Sequence, residues 1–223
     1  MTFRMLPTRV AVLLMVAANL GVVVLVGGCS AAPPQLVRVE ARLEHVHDLD
    51  RGVWYEQVVL FALVRDEDGF ADIEQLFLLN DEHQLYWRLD GEGWTHERRA
   101  GEDWIGLAGL VMADDEDFPR GLYRVVVLDA AGQQDEQRVL IDSPRRVNIA
   151  GQLPVVGNAV AVVPAGGAVL RVVSTTRDDE PPTDRTLAAG EHRIDDLIPA
   201  DSVGFLFVPL DDYSGIVSGP LRR

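Results

Sequence analysis

Cysteine occurs once in the 223 residues, at Cys29. An intrachain disulfide is therefore excluded, and the folded state must be held by burial alone. Lysine is absent: all 20 basic residues are arginine. That bias fits either guanidinium-specific surface contacts or arginine-rich coding. Positive charge is scarce overall, with 35 acids giving a formal net of −15. Such a surface repels nucleic acid and anionic lipid headgroups, so neither is expected as a partner. The short catalytic signatures are missing as well. There is no Gly-x-Ser-x-Gly elbow, no phosphate-cradling glycine loop and no zinc-protease helix motif.

The N-terminus is distinctive. Residues 1–9, MTFRMLPTR, carry Arg4 and Arg9 and no acid, and the following VAVLLMVAANLGVVVLVGG has no charged side chain. A positive n-region followed by an apolar h-region reads as an export signal. The run ends in Val26-Gly27-Gly28-Cys29, which resembles the bacterial lipobox. That resemblance implies cleavage after Gly28 and acylation of Cys29, since small residues admit the peptidase and only a thiol forms the thioether to lipid. The competing reading is an uncleaved membrane helix, long enough by residue count, but the Gly-Gly-Cys at its end has no packing rationale. Loss of Arg4 and Arg9 with the leader leaves 18 basic against 35 acidic residues, a formal net of −17. Residues 29–35 form the lipidated cysteine and a tether containing Pro33-Pro34, which reaches at most about 20 Å when extended. A sole cysteine also suits an oxidising compartment, because the thiol meant for lipid has no wrong partner.

Beyond the tether the periodicity is that of strands. Residues 36–44, LVRVEARLE, set Val37, Val39, Ala41 and Leu43 against Arg38, Glu40, Arg42 and Glu44, the alternation of a half-buried strand. Residues 53–65, 73–80, 84–89, 122–129 and 137–141 are β-branched or alternating runs bounded by Asp, Gly and Ala turns. Residues 94–104 read as a more polar stretch, and no segment of good length has helical period. Six or seven short strands at this spacing predict an antiparallel sandwich.

The stretch FPRGLYRVVVLDAAGQ (118–133) resembles the penultimate strand and turn of immunoglobulin-like and fibronectin type III-like domains. The resemblance makes Tyr123 the tyrosine of the sandwich corner, its ring buried and its hydroxyl bonded to nearby backbone. VRDEDGFADIEQLFL likewise resembles an early hairpin turn of such bacterial modules. After Ser143-Pro144-Arg145-Arg146 the composition shifts. Two apolar strands flank Pro164–Gly167, a polar loop RDDEPPTDR (177–185) is read as irregular because of Pro181-Pro182, and residues 192–221 are similar to the end of a fibronectin type III-like module. The expected fold class is therefore all-β, with two tandem antiparallel β-sandwich domains after a lipoprotein signal peptide. The expected boundaries are 1–28 signal peptide, 29–35 tether, 36–142 immunoglobulin-like sandwich and 143–223 a smaller fibronectin type III-like domain. The second, at about 75 residues without a disulfide, is small enough to need the first as a packing partner.

Chemistry-bearing clusters are few. His45 and His47 would point the same way along a strand and could share a metal, but spacing supplies no third ligand. The acidic runs Asp66-Glu67-Asp68, Asp114–Asp117, Asp178–Glu180 and Asp211-Asp212 could hold calcium at loop tips, yet their Gly and Pro neighbours read as solvated turns. Trp54, Trp87, Trp94 and Trp104 could line a glycan or peptide groove, although sandwich tryptophans more often pack in cores. The expectation is a membrane-anchored envelope lipoprotein that binds or spaces without catalysis. Cys29 is its lipid attachment site, no metal or cofactor is needed, and its partner is a protein or glycan of the envelope. It would be exported and held at the cell membrane or outer membrane, with Ser30 after the cysteine leaning to the outer one. The alternative is an anchored hydrolase or accessory subunit with its site in the stretch from Trp94 to Trp104.

Overall fold

The computed structural model describes residues 32–176 and 181–223; the leader, Cys29 and the acidic run at 178–180 lie outside them. From Pro33 to Arg223 the chain is one compact unit. Its strands are β1 (Gln35–Asp48), β2 (Val53–Arg65), β3 (Ile73–Asn80), β4 (Leu85–Asp90), β5 (Thr95–Arg99), β6 (Glu102–Val111), β7 (Gly121–Asp129) and β8 (Gln134–Ile141). They continue as β9 (Val155–Val156), β10 (Val160–Val163), β11 (Ala168–Ser174), β12 (Thr183–Leu187), β13 (Gly190–Arg193), β14 (Ser202–Asp211) and β15 (Ser214–Leu221). A single helical turn, Ile194–Leu197, is the only α-helix among the described residues.

The all-β class follows from the alternation. Every second residue of β7, namely Tyr123, Val125 and Val127, is fully buried, because successive side chains of a strand face opposite sides. Those side chains meet Val58, Leu60, Ala62 and Val64 of β2 in one core, with Leu76, Leu78, Ile105 and Phe118. The layers of this sandwich are β1-β2-β6-β5 and β4-β3-β7-β8. A second, separate core gathers Ala161, Leu170, Ile198, Leu206, Ile216 and Leu221 between β12-β11-β14-β15 and β13-β10-β9.

One ladder joins the two. β15 pairs parallel with β1 from Leu43–Ser214 to Asp48–Gly219, so an eight-stranded sheet runs β12-β11-β14-β15-β1-β2-β6-β5 through both sandwiches. The core changes near residue 143 while the hydrogen-bonded sheet continues across it. The first half of β1 extends beyond β15 and is paired only with β2.

Three local readings need correction. The 66–72 segment is not a hairpin turn: β2 pairs with β1 and β6, β3 with β4 and β7, so this segment crosses from one sheet to the other. The polar stretch after Trp94 contains two strands, β5 and β6, and β6 lies beside β2. The end of the loop 177–185 is strand β12, where Asp184 meets Arg171 of β11 at 2.9 Å. Proline blocks a ladder only where its missing N–H is needed, and β12 begins after Pro182 as the sheet's edge strand.

Candidate functional site

β1 remains a strand as far as Asp48, so His45 and His47 do share a face, as their parity suggests. Their surroundings separate them. His45 stands opposite Glu56 of β2, and both are buried, at 1% and 3% exposure. His45 Nε2 lies 3.3 Å from Ser143 Oγ. Its Nδ1 is 3.2 Å from Glu56 Oε1, an ion-pair distance without hydrogen-bond alignment. Arg120 closes the cluster. Its Nη1 and Nη2 donate to Glu56 Oε2 and Oε1 at 2.5 and 2.8 Å, and its Nε donates to the Ser143 carbonyl at 3.0 Å. The Phe118 N–H donates to Glu56 Oε2 at 2.8 Å.

Hydroxyl, imidazole and carboxylate therefore stand in the order used by serine hydrolases. The electrostatics oppose that use. Both oxygens of Glu56 are taken by Arg120, so the carboxylate has little left to stabilise an imidazolium, and Ser143 is buried at 5% exposure. Burial holds the His45 pKa below its ordinary value, outweighing the upward pull of Glu56, and Arg120 lowers it further. The cluster works as a clamp tying β1, β2, the 118–120 segment and the start of the second half of the chain.

A pH dependence follows. The folded pKa of His45 lies below the unfolded one, so between these values the unfolded chain binds more protons, and stability falls as pH drops below about 6.5 toward the folded value. Urea midpoints between pH 7 and pH 5 should fall, and His45→Asn should flatten that slope. An unchanged slope would remove His45 as its source.

His47 stacks on Trp54, ring centroids 4.3 Å apart and planes 5° from parallel, with the Arg146 guanidinium 5.6 Å from the same indole. Its pKa is lowered by burial, against the raising effect of Asp48. Among the described residues no third metal-capable side chain joins the two histidines. Among the described residues the one group of three metal-capable side chains close enough together is Asp66, Asp68 and Asp72. Asp115 pairs with Arg51 at 2.7 Å, Asp117 is 3.9 Å from Arg145, and Asp211 accepts the Tyr213 N–H in a turn.

The tryptophans are packed rather than displayed. Trp87 stacks on Phe118 and donates its indole N–H to the Val111 carbonyl at 3.0 Å. Trp94 packs against the first core and Trp54 against the second. Trp104 is buried with Phe61 and Leu63 on the outer face of β2 and β6, and Arg99 covers both Phe61 and Trp104 at 4.5 and 5.0 Å.

An open groove of about 1550 Å³ runs along the free part of β1 and over the outer face of the shared sheet. Its floor carries Phe61, Phe205, Phe207 and Val217, and the charged residues lining it include Glu40, Arg42, Glu44, Arg99, Arg171 and Asp184, pairs among them, with Arg38, Glu97, Asp142 and Asp212 beside them. These charges are paired along the walls: Arg42 with Glu44 at 2.6 Å and Arg99 with Glu40 at 3.2 Å. Glycines make the aromatic floor. A Cβ on Gly215 would sit 2.4 Å from Phe207, and one on Gly219 would sit 2.5 Å from Phe205, so β15 lets both rings lie close on the sheet. Arg42 lies over Phe207 at 4.9 Å. Sequence reasoning missed this surface, because it is built across β1, β14 and β15. The Phe-x-Phe parity of residues 205–207 with Gly-x-x-x-Gly at 215–219 is the signal that could have pointed to it.

No helix among the described residues is long and apolar enough to cross a membrane. The sequence matches no protein-family model and none of the curated proteins.

Proposed function

We propose that the chain is a lipid-anchored envelope protein that works by binding rather than catalysis, holding a protein or glycan partner in the groove beside β1. The observation that carries the reading is this groove: aromatic rings laid over glycines and flanked by arginine–carboxylate pairs offer both stacking and hydrogen-bonding surface. Ligand sites commonly combine an apolar floor with a few fixed polar groups. The packed tryptophans and the arginine-locked Glu56 support a non-catalytic module. For the immunoglobulin-like type of the first sandwich, the support is its layer order and its corner. β1-β2-β6-β5 facing β3-β7-β8 follows the A-B-E-D and C-F-G arrangement, with β4 added at the edge beside β3. The fully buried Tyr123 donates its hydroxyl to the Pro119 carbonyl at 2.7 Å. The anchor rests on the lipobox resemblance at Cys29.

The test is cross-linking and pull-down from intact envelopes. Wild-type protein should capture a partner that Phe205→Ser/Phe207→Ser does not, while the variant stays in the membrane fraction. Cys29→Ser should abolish lipid labelling and release the chain from that fraction. Equal capture by the groove variant would refute the binding site, and persistent labelling of Cys29→Ser would refute the anchor. A hydrolytic activity lost on Ser143→Ala would replace the binding reading with the hydrolase.

A further inference from the structure

β2 pairs with β1 from Gln35 to Asp48, whereas β15 starts at Ser214, beside Leu43. Alternate residues of a strand turn their N–H and C=O groups to the same edge. Leu43 and Leu49 donate to the Tyr213 and Gly219 carbonyls at 3.0 and 2.9 Å, so the odd residues of β1 address the edge that β15 occupies. By that alternation Val39 and Ala41 address it too, and among the described residues no strand is paired with them there. The far end of the stretch is closed off. A register shift between Leu36 and Arg38 turns Leu36 to the same edge, where its N–H donates to Asp135 Oδ2 at 2.8 Å and its carbonyl accepts from Gln137 Nε2. Between Leu36 and Leu43 lies a short row of ladder groups that the chain itself leaves open.

The groove opens on this row. Val39 and Ala41 line it, together with Leu140, Asp142, Asp212 and Tyr213, of which Leu140 and Tyr213 are 59% and 66% exposed. Val39 and Ala41 share the parity of the buried Leu43 and pack, half-buried, against the first core. Arg38, Glu40 and Arg42 take the opposite parity. A strand laid on this edge would therefore meet apolar cover on one face and alternating charge on the other. Unused edges are blunted by an inward-pointing charge or a proline. Here the inward residues are valine and alanine, and β1 contains no proline. The aromatic floor is less suited to stacking a sugar ring, because guanidinium groups already cover two of its rings: Arg42 lies 4.9 Å over Phe207 and Arg99 4.5 Å over Phe61.

Taking the groove as the binding surface, on which this step rests, we propose that its occupant is an extended segment of a partner protein that adds a strand to β1 at Val39–Ala41, in line with β15. Backbone hydrogen bonds to Val39 and Ala41 supply the pairing, and the alternate side chains of the guest supply the selectivity, as in other strand-addition complexes. The guest is a segment that alternates small apolar with charged residues, its apolar side turned to Val39 and Ala41.

The probe is a phage-displayed library of peptides of about eight residues, a usual strand length, with apolar and polar positions alternating. The bait is the full chain in detergent. Peptides enriched on wild type should bind Ala41→Pro at least about tenfold more weakly, the scale of one or two lost hydrogen bonds. Proline removes only the outward N–H of residue 41, since pairing with β2 uses the even residues, and an edge strand tolerates it on that side. Hydrogen exchange on wild type guards against a folding failure of the variant: a bound peptide should slow the Val39 and Ala41 amides at least about tenfold. No enrichment on wild type, or bound peptides that leave those two amides unprotected, would overturn strand addition. An envelope partner captured equally by wild type and Ala41→Pro but lost in Phe205→Ser/Phe207→Ser would keep the groove and remove the ladder, as a glycan would. A wild-type dimer in sedimentation that Ala41→Pro breaks would make the occupant a second copy and overturn the foreign strand.

Discussion

Replacing Arg120 by alanine is expected to lower stability by about 3–5 kcal/mol, the cost of breaking a buried ion pair from one side. Glu56 is 3% exposed and would keep its charge in the interior without its bidentate partner. The Phe118 N–H alone would remain on Oε2. The same deletion frees the Ser143 and Phe118 carbonyls that Arg120 now satisfies, and each unsatisfied group adds its own desolvation cost. Replacing both partners, as Glu56→Gln with Arg120→Ala, should destabilise by less than the sum of the single changes, because no unpaired charge is then left inside. Urea denaturation of the four proteins at pH 7 gives the cycle. A loss below about 1 kcal/mol for Arg120→Ala, the range of exposed pairs, would show that water reaches Glu56. The clamp would then be a surface pair.

How much of this was legible in the sequence depended on whether a feature was local. β2 and β3 match the runs 53–65 and 73–80 residue for residue, because β-branched alternation and flanking turns are properties of neighbouring residues. Tyr123 was legible for the same reason: its hydroxyl reaches only four residues back, to Pro119. β6 was not. EDWIGLAGLV mixes glycine and alanine with its apolar positions, and small residues dilute both β propensity and alternation. β6 is a strand because β2 and β5 flank it. The extra strand pairing between β1 and β15 is likewise tertiary. It joins segments about 170 residues apart, and nothing in LEHVHD announces SGIVSG as its neighbour. The candidate sites divide in the same way. The pairing of His45 with His47 on one face was readable from parity, but the Glu56 and Arg120 that neutralise its chemistry were not. The Asp66–Asp68 run was visible as charge, whereas the burial of Asp129 was not, because in the sequence it is only the first residue of a turn.

The small residues that hid β6 also set its most sensitive point. Gly106 pairs with Phe61 on one side and Thr95 on the other. A Cβ built there would stand 1.9 Å from the Leu60 carbonyl oxygen and 2.7 Å from the Phe61 Cα. Both obstacles are backbone, so no rotamer change relieves them, and β6 would have to move away from β2. That displacement would strain an interior ladder and uncover the packing of Trp104 against Phe61 and Leu63. Overpacking costs about 1–3 kcal/mol or more, and each ladder hydrogen bond lost adds about 0.5–1.5 kcal/mol. Gly106→Ala is therefore expected to cost about 3–5 kcal/mol. Gly109→Ala offers the contrast. Its new Cβ meets nothing closer than Gln57 Oε1 at 3.6 Å, so only the positive φ of 133° is strained, at about 1–3 kcal/mol. Thermal or urea unfolding of the two variants side by side should rank Gly106→Ala well below Gly109→Ala, with its Trp fluorescence shifted toward that of exposed indole as Trp104 loses cover. If Gly106→Ala unfolds within about 1 kcal/mol of wild type, less than overpacking costs, the close approach of β6 to β2 is not the constraint that keeps glycine there.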